Sequence, residues 1–524
     1  MYIIVDYQEE KKMDAGILSI IPIALTIGLA VWTKNVILSL FTGLFCGVLI
    51  IVGGNPVTAL TTTIGEYIIP RLLDSYNAGI IVLLIFIGGF VTLLEKSGGA
   101  EAFARKVANF IDTRCKTQLA AWIGGILVFF SELGTPMIVG PIFAPIFKKM
   151  RISKEKLAWI LDSTASPVCV LIPFIGWGVT SMGLIQAEFD NLGITATTDW
   201  TAFCKAIPYQ IYPILCLCLV PVVAFTGREF GAMAKAEQDA RKGIFSSLPN
   251  EEAPKKNMLT NNKVSPLVVI IPLAVMFVTL FGILAPKGFP VKQVPGGEFR
   301  IALISGYLLA AITMILLMRY YKVMSIKDGI STYIKGCSKL FDCMVMLVLA
   351  WGLSAAGDVL GTSEFIVSIA QGAVPYWMVP SIVFLIGAVM SFATGTSWGT
   401  FAIVMPIAIP MAYHLDANLF VTIGAVLSGG LFGDHCSPVS DTTILAASGA
   451  NCELMNHTWT QLPYSVLCAV ISFFGFMVAS VIENAIITAV CIVVMTAAYI
   501  VLAKYKGIKV DNISIQDIDQ MEKE

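Results

Sequence analysis

The chain has 524 residues, 57% hydrophobic and only 13% charged, with a mean hydropathy of +0.82. A soluble protein carries about 25% charged residues, so this composition is that of a membrane protein. A net charge of −1 excludes a nucleic-acid partner held by a basic surface, and the twelve scattered cysteines show neither zinc nor disulfide spacing.

A spanning helix needs ~20 mostly apolar residues. In chain order the candidate runs are 16–33, 36–52, 79–95, 118–147, 157–186, 208–226, 266–285, 301–318, 342–360, 376–413, 419–450, 462–482 and 484–503. The first follows acidic residues and lacks a basic flank and a cleavage pattern, so it reads as a retained helix rather than a signal peptide. Residues 227–265 form a long polar segment rich in Lys and Arg, expected to be a solvated cytoplasmic linker without a chemical role. It divides the chain into an N-terminal half, 1–226, and a C-terminal half, 266–524.

Basic residues mark the cytoplasmic side. Segments 96–117 and 148–156 are both basic, so both ends of run 118–147 face inward. That run therefore enters and returns, turning near Ser131-Glu132-Leu133-Gly134-Thr135-Pro136 as a re-entrant hairpin. Segment 319–340 is also basic and inside, helix 342–360 exits, and run 376–413 becomes a second hairpin that dips from outside and turns at Thr394-Gly395-Thr396-Ser397-Trp398. Lys504, Lys506 and Lys509 place the C-terminus in the cytoplasm, and the acidic N-terminus falls outside. Two loops fit less well. Segment 286–300 should be outside yet carries Lys287, Lys292 and Arg300, and 451–461 should be an inside loop yet has no Lys or Arg.

The halves repeat. Gly134-Thr135 leads to Pro145 as Gly395-Thr396 leads to Pro406, and Ser166-Pro167-Val168 matches Ser437-Pro438-Val439 with Asp162 and Asp434 just upstream. Proline removes a backbone donor and clashes with the preceding turn, so runs 157–186 and 419–450 should be broken helices. The expected fold is an all-α polytopic membrane protein of two inverted repeats, each with a re-entrant hairpin and a discontinuous transmembrane helix, an arrangement common in secondary transporters.

Glu132, Asp162, Asp434 and Asp441 lie inside apolar runs. Acids at bilayer depth are costly and mark ion or substrate paths. A buried carboxylate that holds either a cation or a proton couples the two. Glu132 and Asp441 favour that role, whereas Asp162 and Asp434, next to helix breaks, fit helix capping equally well. Hard cations prefer oxygen ligands, which Thr135, Ser163, Thr164, Ser166, Thr396, Ser397, Ser437, Ser440, Thr442 and Thr443 supply around the tips and breaks, beside Gly134 and Gly395. Any one of these hydroxyls more commonly bonds back to its own helix. His435 is a candidate proton relay or a buried structural ring. His414 and His457 are expected in surface loops. Trp177 and Trp398 sit near the breaks, as cavity lining or as interface filling. Asp342 opens a helix and Asp358 lies near a helix end. Asp441, followed by two threonines, is assigned the cation-ligand role, with Asp434 the weaker candidate for the proton carrier; the same architecture can hold sodium, a carboxylate substrate, or both.

The stretch Gly433-Asp434-His435-Cys436-Ser437-Pro438-Val439-Ser440-Asp441-Thr442-Thr443, with Thr460-Gln461-Leu462-Pro463-Tyr464, resembles the signature of the NhaC-type sodium/proton antiporter family. Asp162 to Val168 and Gly395 to Thr400 resemble its other blocks, and the likeness runs from about Gly79 to Ser480. The resemblance implies sodium–proton exchange in a bacterial or archaeal inner (plasma) membrane. The family also holds organic-acid exchangers, such as malate for lactate, and amino-acid carriers. The expected function is thus sodium/proton antiport by alternating access. The alternative is sodium- or proton-coupled transport of a small carboxylate or amino acid. Buried titratable acids argue against a channel, which needs weak multi-site binding, and no nucleophile–base pair or metal set suggests an enzyme. The expected partners are the lipid bilayer, sodium and protons, with no cofactor; a homodimer is an expectation by family analogy.

Overall fold

The computed structural model describes residues 13, 15–99, 102, 111–245, 264–289, 294, 296–362, 365, 368 and 374–509. The protein is helical almost throughout. Among the described residues nine helices are long and apolar enough to cross a bilayer, or eleven if two bent pairs each count as one span. The acidic N-terminus, most of the basic segment 100–110 and the linker residues 246–263 lie outside the described residues.

The first predicted hairpin is present. Its arms, Arg114–Leu127 and Gly134–Lys149, hold 14 and 16 residues, or about 21 and 24 Å, too short to cross a ~30 Å hydrocarbon core singly. Its two ends are tied together, because the Arg114 guanidinium donates to the Met150 carbonyl at 3.2 Å and to Arg151 and Glu237. The second hairpin pairs Val379–Thr394 with Ser397–His414. Its turn requires a left-handed residue, supplied by Gly395 at φ 71°, and a Cβ there would run into the Val439 carbonyl.

Both predicted breaks form. The helix Lys154–Thr164 stops at Ala165, followed by the single turn Ser166–Cys169 and then the helix Gly176–Asn191. The helix Leu419–Cys436 stops before Pro438, and a new helix, Asp441–Gly449, starts with Ser440 as its cap, whose hydroxyl accepts the Thr442 amide at 3.2 Å. Close helix contact in a membrane relies on small residues. The helix Asp441–Gly449 meets the first hairpin where Gly140 and Gly449 face each other, and a Cβ on either would overlap backbone of the other's helix. The hairpin of one half thus locks onto the broken helix of the other. The remaining packing is reciprocal too: Val36–Ile51 lies on Phe341–Val359, while Gly296–Tyr320 lies on Ser75–Lys96.

Four expectations need correction. The linker is not simply a solvated loop. Arg228–Phe230 pairs antiparallel with Gly507–Lys509, and the helix Gly231–Arg241 seats Glu237 against Arg114 and the Ser153 hydroxyl, the latter at 2.7 Å. Segment 451–461 is not a loop, because the helix Leu454–Ile482 starts eight residues earlier than the run predicted from 462. Lys156, counted as a loop charge, is fully buried on Glu229. Beyond the predicted run at 36–52, helical residues Pro56–Leu73 turn back by 116° from Val36–Ile51 and fill a stretch that hydropathy alone left as a connection. In the basic segment expected outside, Lys287 pairs with Glu298 at 2.5 Å and Arg300 stacks 3.6 Å over the Tyr76 ring.

Candidate functional site

The two hairpin tips and the second break converge on one cavity of about 330 Å³. Glu132, Thr396, Trp398, Asp434, Asp441 and Thr442 line it. The tip of the first hairpin is shaped by Ser131, whose hydroxyl accepts the Gly134 amide at 2.9 Å and donates to Glu95. Glu132 then faces the second hairpin. One of its carboxylate oxygens accepts the Trp398 indole N–H at 3.2 Å, and the other is buried without a partner. Trp398 packs on Trp177 with ring centroids 4.8 Å apart, so both tryptophans border the cavity as well as fill an interface.

Asp434 ends its half-helix with both oxygens engaged. Ser397 donates to one at 2.7 Å and Ser440 to the other at 2.5 Å. Thr443 donates to the Asp434 carbonyl at 3.3 Å, and Ser440 and Thr442 lie 3.0 Å apart. Asp441 differs. It is exposed to the cavity and sits in the first turn of Asp441–Gly449, where the helix dipole favours a negative charge. The break thus brings Asp434 and Asp441 to one cavity, although seven residues of unbroken helix would separate them by about 10.5 Å.

The remaining candidates stand elsewhere. Asp162, Ser163, Thr164, Ser166 and His435 are buried behind the cavity and do not line it. Thr135, Thr164 and Ser437 spend their hydroxyls on the carbonyls of Ser131, Ile160 and Phe392 at 3.2, 2.8 and 2.8 Å. The Ser166 hydroxyl is buried without a partner. His435 is held between the Tyr212 hydroxyl at 2.8 Å and the Ser163 hydroxyl at 3.3 Å. His457 is no surface residue: it is fully buried, and its Nε2 lies 3.2 Å from Asp162. His414 ends a helix, half-buried, rather than lying in a loop. Two cavity groups were not read as such from the sequence: Lys339 lines the cavity and pairs with Glu95 at 2.5 Å, and Asp342, expected only to open a helix, lines it from that helix start. Glu95 and Lys339 flank apolar runs, and only the fold turns them toward the hairpin tip.

A second cavity, of about 170 Å³, is lined by Glu188, Asn191, Ser354, Asp358, Tyr413 and His414 among others. The buried Glu188 carboxylate accepts the Ser354 hydroxyl at 2.5 Å. Three helices connect the two cavities. Gly176–Asn191, Phe341–Val359 and Ser397–His414 each begin at the first and end at the second. Val179, Leu349 and Phe401 are buried between them.

The sequence pattern of the Na+/H+ antiporter family matches residues 9–174 and 168–481. The chain belongs to this family. As a Na+/H+ antiporter family member it is a multi-span secondary active transporter. It is 30% identical over 480 residues to an uncharacterized Haemophilus influenzae protein, covering 89% of this chain and 91% of that one. It is 34% identical over 165 residues to the malate-2H+/Na+-lactate antiporter of Bacillus subtilis, covering 29% and 33% respectively. In fold, this antiporter family member is similar to the YdaH transporter of Alcanivorax borkumensis, with a TM-score of 0.57 at 16% identity over 82% of this chain and 89% of that one.

Proposed function

We propose that the protein exchanges sodium for protons across the plasma membrane by alternating access, with the first cavity as its ion site. The observation that carries this reading is the meeting of Glu132, from the N-terminal half, with Asp434 and Asp441, from the C-terminal half, on one cavity. Sodium is taken by Asp441 with cavity oxygens of Thr442 and Thr396, and Glu132 and Asp434 supply further negative charge. Carboxylates that share one site repel, so a proton held there leaves when a cation arrives. Sodium affinity therefore rises with pH, because deprotonation creates the charge that binds the ion. Glu132→Gln keeps volume and hydrogen bonding but cannot titrate, so the pH dependence of sodium uptake into proteoliposomes should flatten or shift by a unit or more. An unchanged profile at full flux assigns Glu132 to structure and removes it from the site.

The two halves act as inverted repeats in this reading, with the reciprocal helix packing as support. The end carrying Arg114, Arg151, Arg228 and Lys509 is the cytoplasmic one. In a background without native cysteines, Lys149→Cys should label only from the cytoplasm and Asp416→Cys only from outside. Labelling of both from one side overturns the inverted arrangement.

A second reading is exchange of a small carboxylate coupled to sodium or protons. The cavity is larger than a bare cation needs, and Lys339 and two tryptophans border it. The name of the Bacillus subtilis relative, a malate/lactate antiporter, points the same way. Uptake assays with sodium, protons and a panel of organic acids separate the two.

A further inference from the structure

Behind the cavity lies a closed polar cluster that the exchange reading does not use. Asp162, His457 and Gln461 are all fully buried. His457 Nε2 stands 3.2 Å from Asp162 Oδ2, and Gln461 Nε2 stands 2.8 Å from the same oxygen. A carboxylate oxygen offers lone pairs only, so both nitrogens donate, and the imidazole carries a proton on Nε2. Three atoms are then left over. Asp162 Oδ1, His457 Nδ1 and Gln461 Oε1 are buried without any partner. With a neutral ring all three are acceptors, and the pair carries one negative charge at full burial. Buried charge and unmet acceptors are both costly. The cluster is one proton short.

We propose that Asp162 and His457 form a proton-binding site, separate from the sodium cavity, that is loaded and unloaded during exchange. A single proton, on Asp162 Oδ1 or His457 Nδ1, neutralises the pair and turns one of its bare acceptors into a donor. No space for a hydrated ion is needed. Gln461 provides the link to the cavity, because its amide N–H₂ also donates to the His435 carbonyl. His435 follows Asp434 in the last turn before the break, so a cation that pulls on the break pulls on the amide that holds Asp162.

The charged side chains around this pair have partners of their own. His435 turns its ring to Tyr212 and Ser163. On the Asp162 helix Lys156 is committed to Glu229, and on the packed hairpin arm Arg114 is committed to Glu237. The neighbouring helices present Tyr212, Cys216, Cys436, Tyr464 and Cys468, and the Tyr212 hydroxyl is spent on His435 and the Tyr464 hydroxyl on Glu229. Asp434 and Asp441 belong to the cavity, with Asp434 held by two serines.

The inference rests on the exchange reading, and the test separates the two. Wild type, Asp162→Asn and His457→Gln are reconstituted in proteoliposomes after confirming monodisperse elution. Sodium-driven proton movement is read with an internal pH dye, and sodium-for-sodium exchange is read with a radiotracer at fixed pH. Both variants should lose proton movement at least tenfold while sodium-for-sodium exchange stays within about threefold of wild type. Proton movement and pH dependence equal to wild type in both variants overturn the proposal, and the cluster is then a structural clasp, with water on its bare atoms. Equal loss of both fluxes in both monodisperse variants overturns it as well, by placing the residues in the sodium path. If wild type moves protons with an organic acid and not with sodium, the sodium reading falls. The proton site is then judged by the same loss of proton movement against retained acid-for-acid exchange.

Discussion

Asp441→Asn abolishes the proton release that follows sodium addition to the detergent-purified protein, read with a pH dye, while the protein stays monodisperse. Asp441 opens on the cavity, whereas Asp434 is held by the hydroxyls of Ser397 and Ser440. A carboxylate that is exposed to the cavity and sits in the first turn of a helix is the group most free to bind a cation. The amide of Asn keeps the size and loses the charge, so sodium affinity should fall at least a hundredfold. Asp434→Asn keeps hydrogen bonding to the two serines and should slow turnover more than it weakens sodium binding. Unaltered sodium affinity and proton release in Asp441→Asn would show that the ion binds elsewhere and that Asp441 is scaffolding.

Glu229→Leu produces the largest loss of stability. Lys156 is fully buried, with its ammonium on Glu229 and 5.0 Å from the Trp159 ring. The other Glu229 oxygen accepts the Tyr464 hydroxyl at 2.6 Å. Removing the carboxylate leaves a buried ammonium with aromatic faces only and strands the tyrosine. Breaking a buried pair in this way costs about 3–5 kcal/mol, whereas replacing both partners by apolar groups is often neutral. The single variant should melt well below wild type in detergent, and Lys156→Met with Glu229→Leu should recover most of the loss. A single variant as stable as wild type would mean that water reaches Lys156 and that the pair is not dry.

The spanning helices were legible because each needs its own apolar window, and the hairpin at 118–147 because both its flanks are basic. The breaks were legible because proline acts locally, whatever the surroundings. What escaped the sequence depends on distant partners. His457 sits among polar neighbours and reads as a loop residue, yet its partner Asp162 lies 295 positions away. Lys156 adds to a basic pattern that marks the cytoplasmic side, and only tertiary packing on Glu229 removes it from water. Among the hydroxyls, sequence could not separate Ser397 and Ser440, which hold Asp434, from Thr135 and Thr164, which bond back to their own helices.

The three helices that begin at one cavity and end at the other also determine where the membrane voltage falls. From Trp177 to Glu188 the first of them advances about 16 Å, roughly half of a ~30 Å hydrocarbon core. If the two cavities open to opposite faces and fill with water and salt, nearly the whole potential drops across the packed stretch around Val179, Leu349 and Phe401. A net elementary charge carried through that stretch is worth about 2.3 kcal/mol per 100 mV. Unequal numbers of sodium ions and protons per cycle would therefore make the exchange steeply voltage-dependent, with the sensitivity arising in this short seal rather than along the full width of the bilayer.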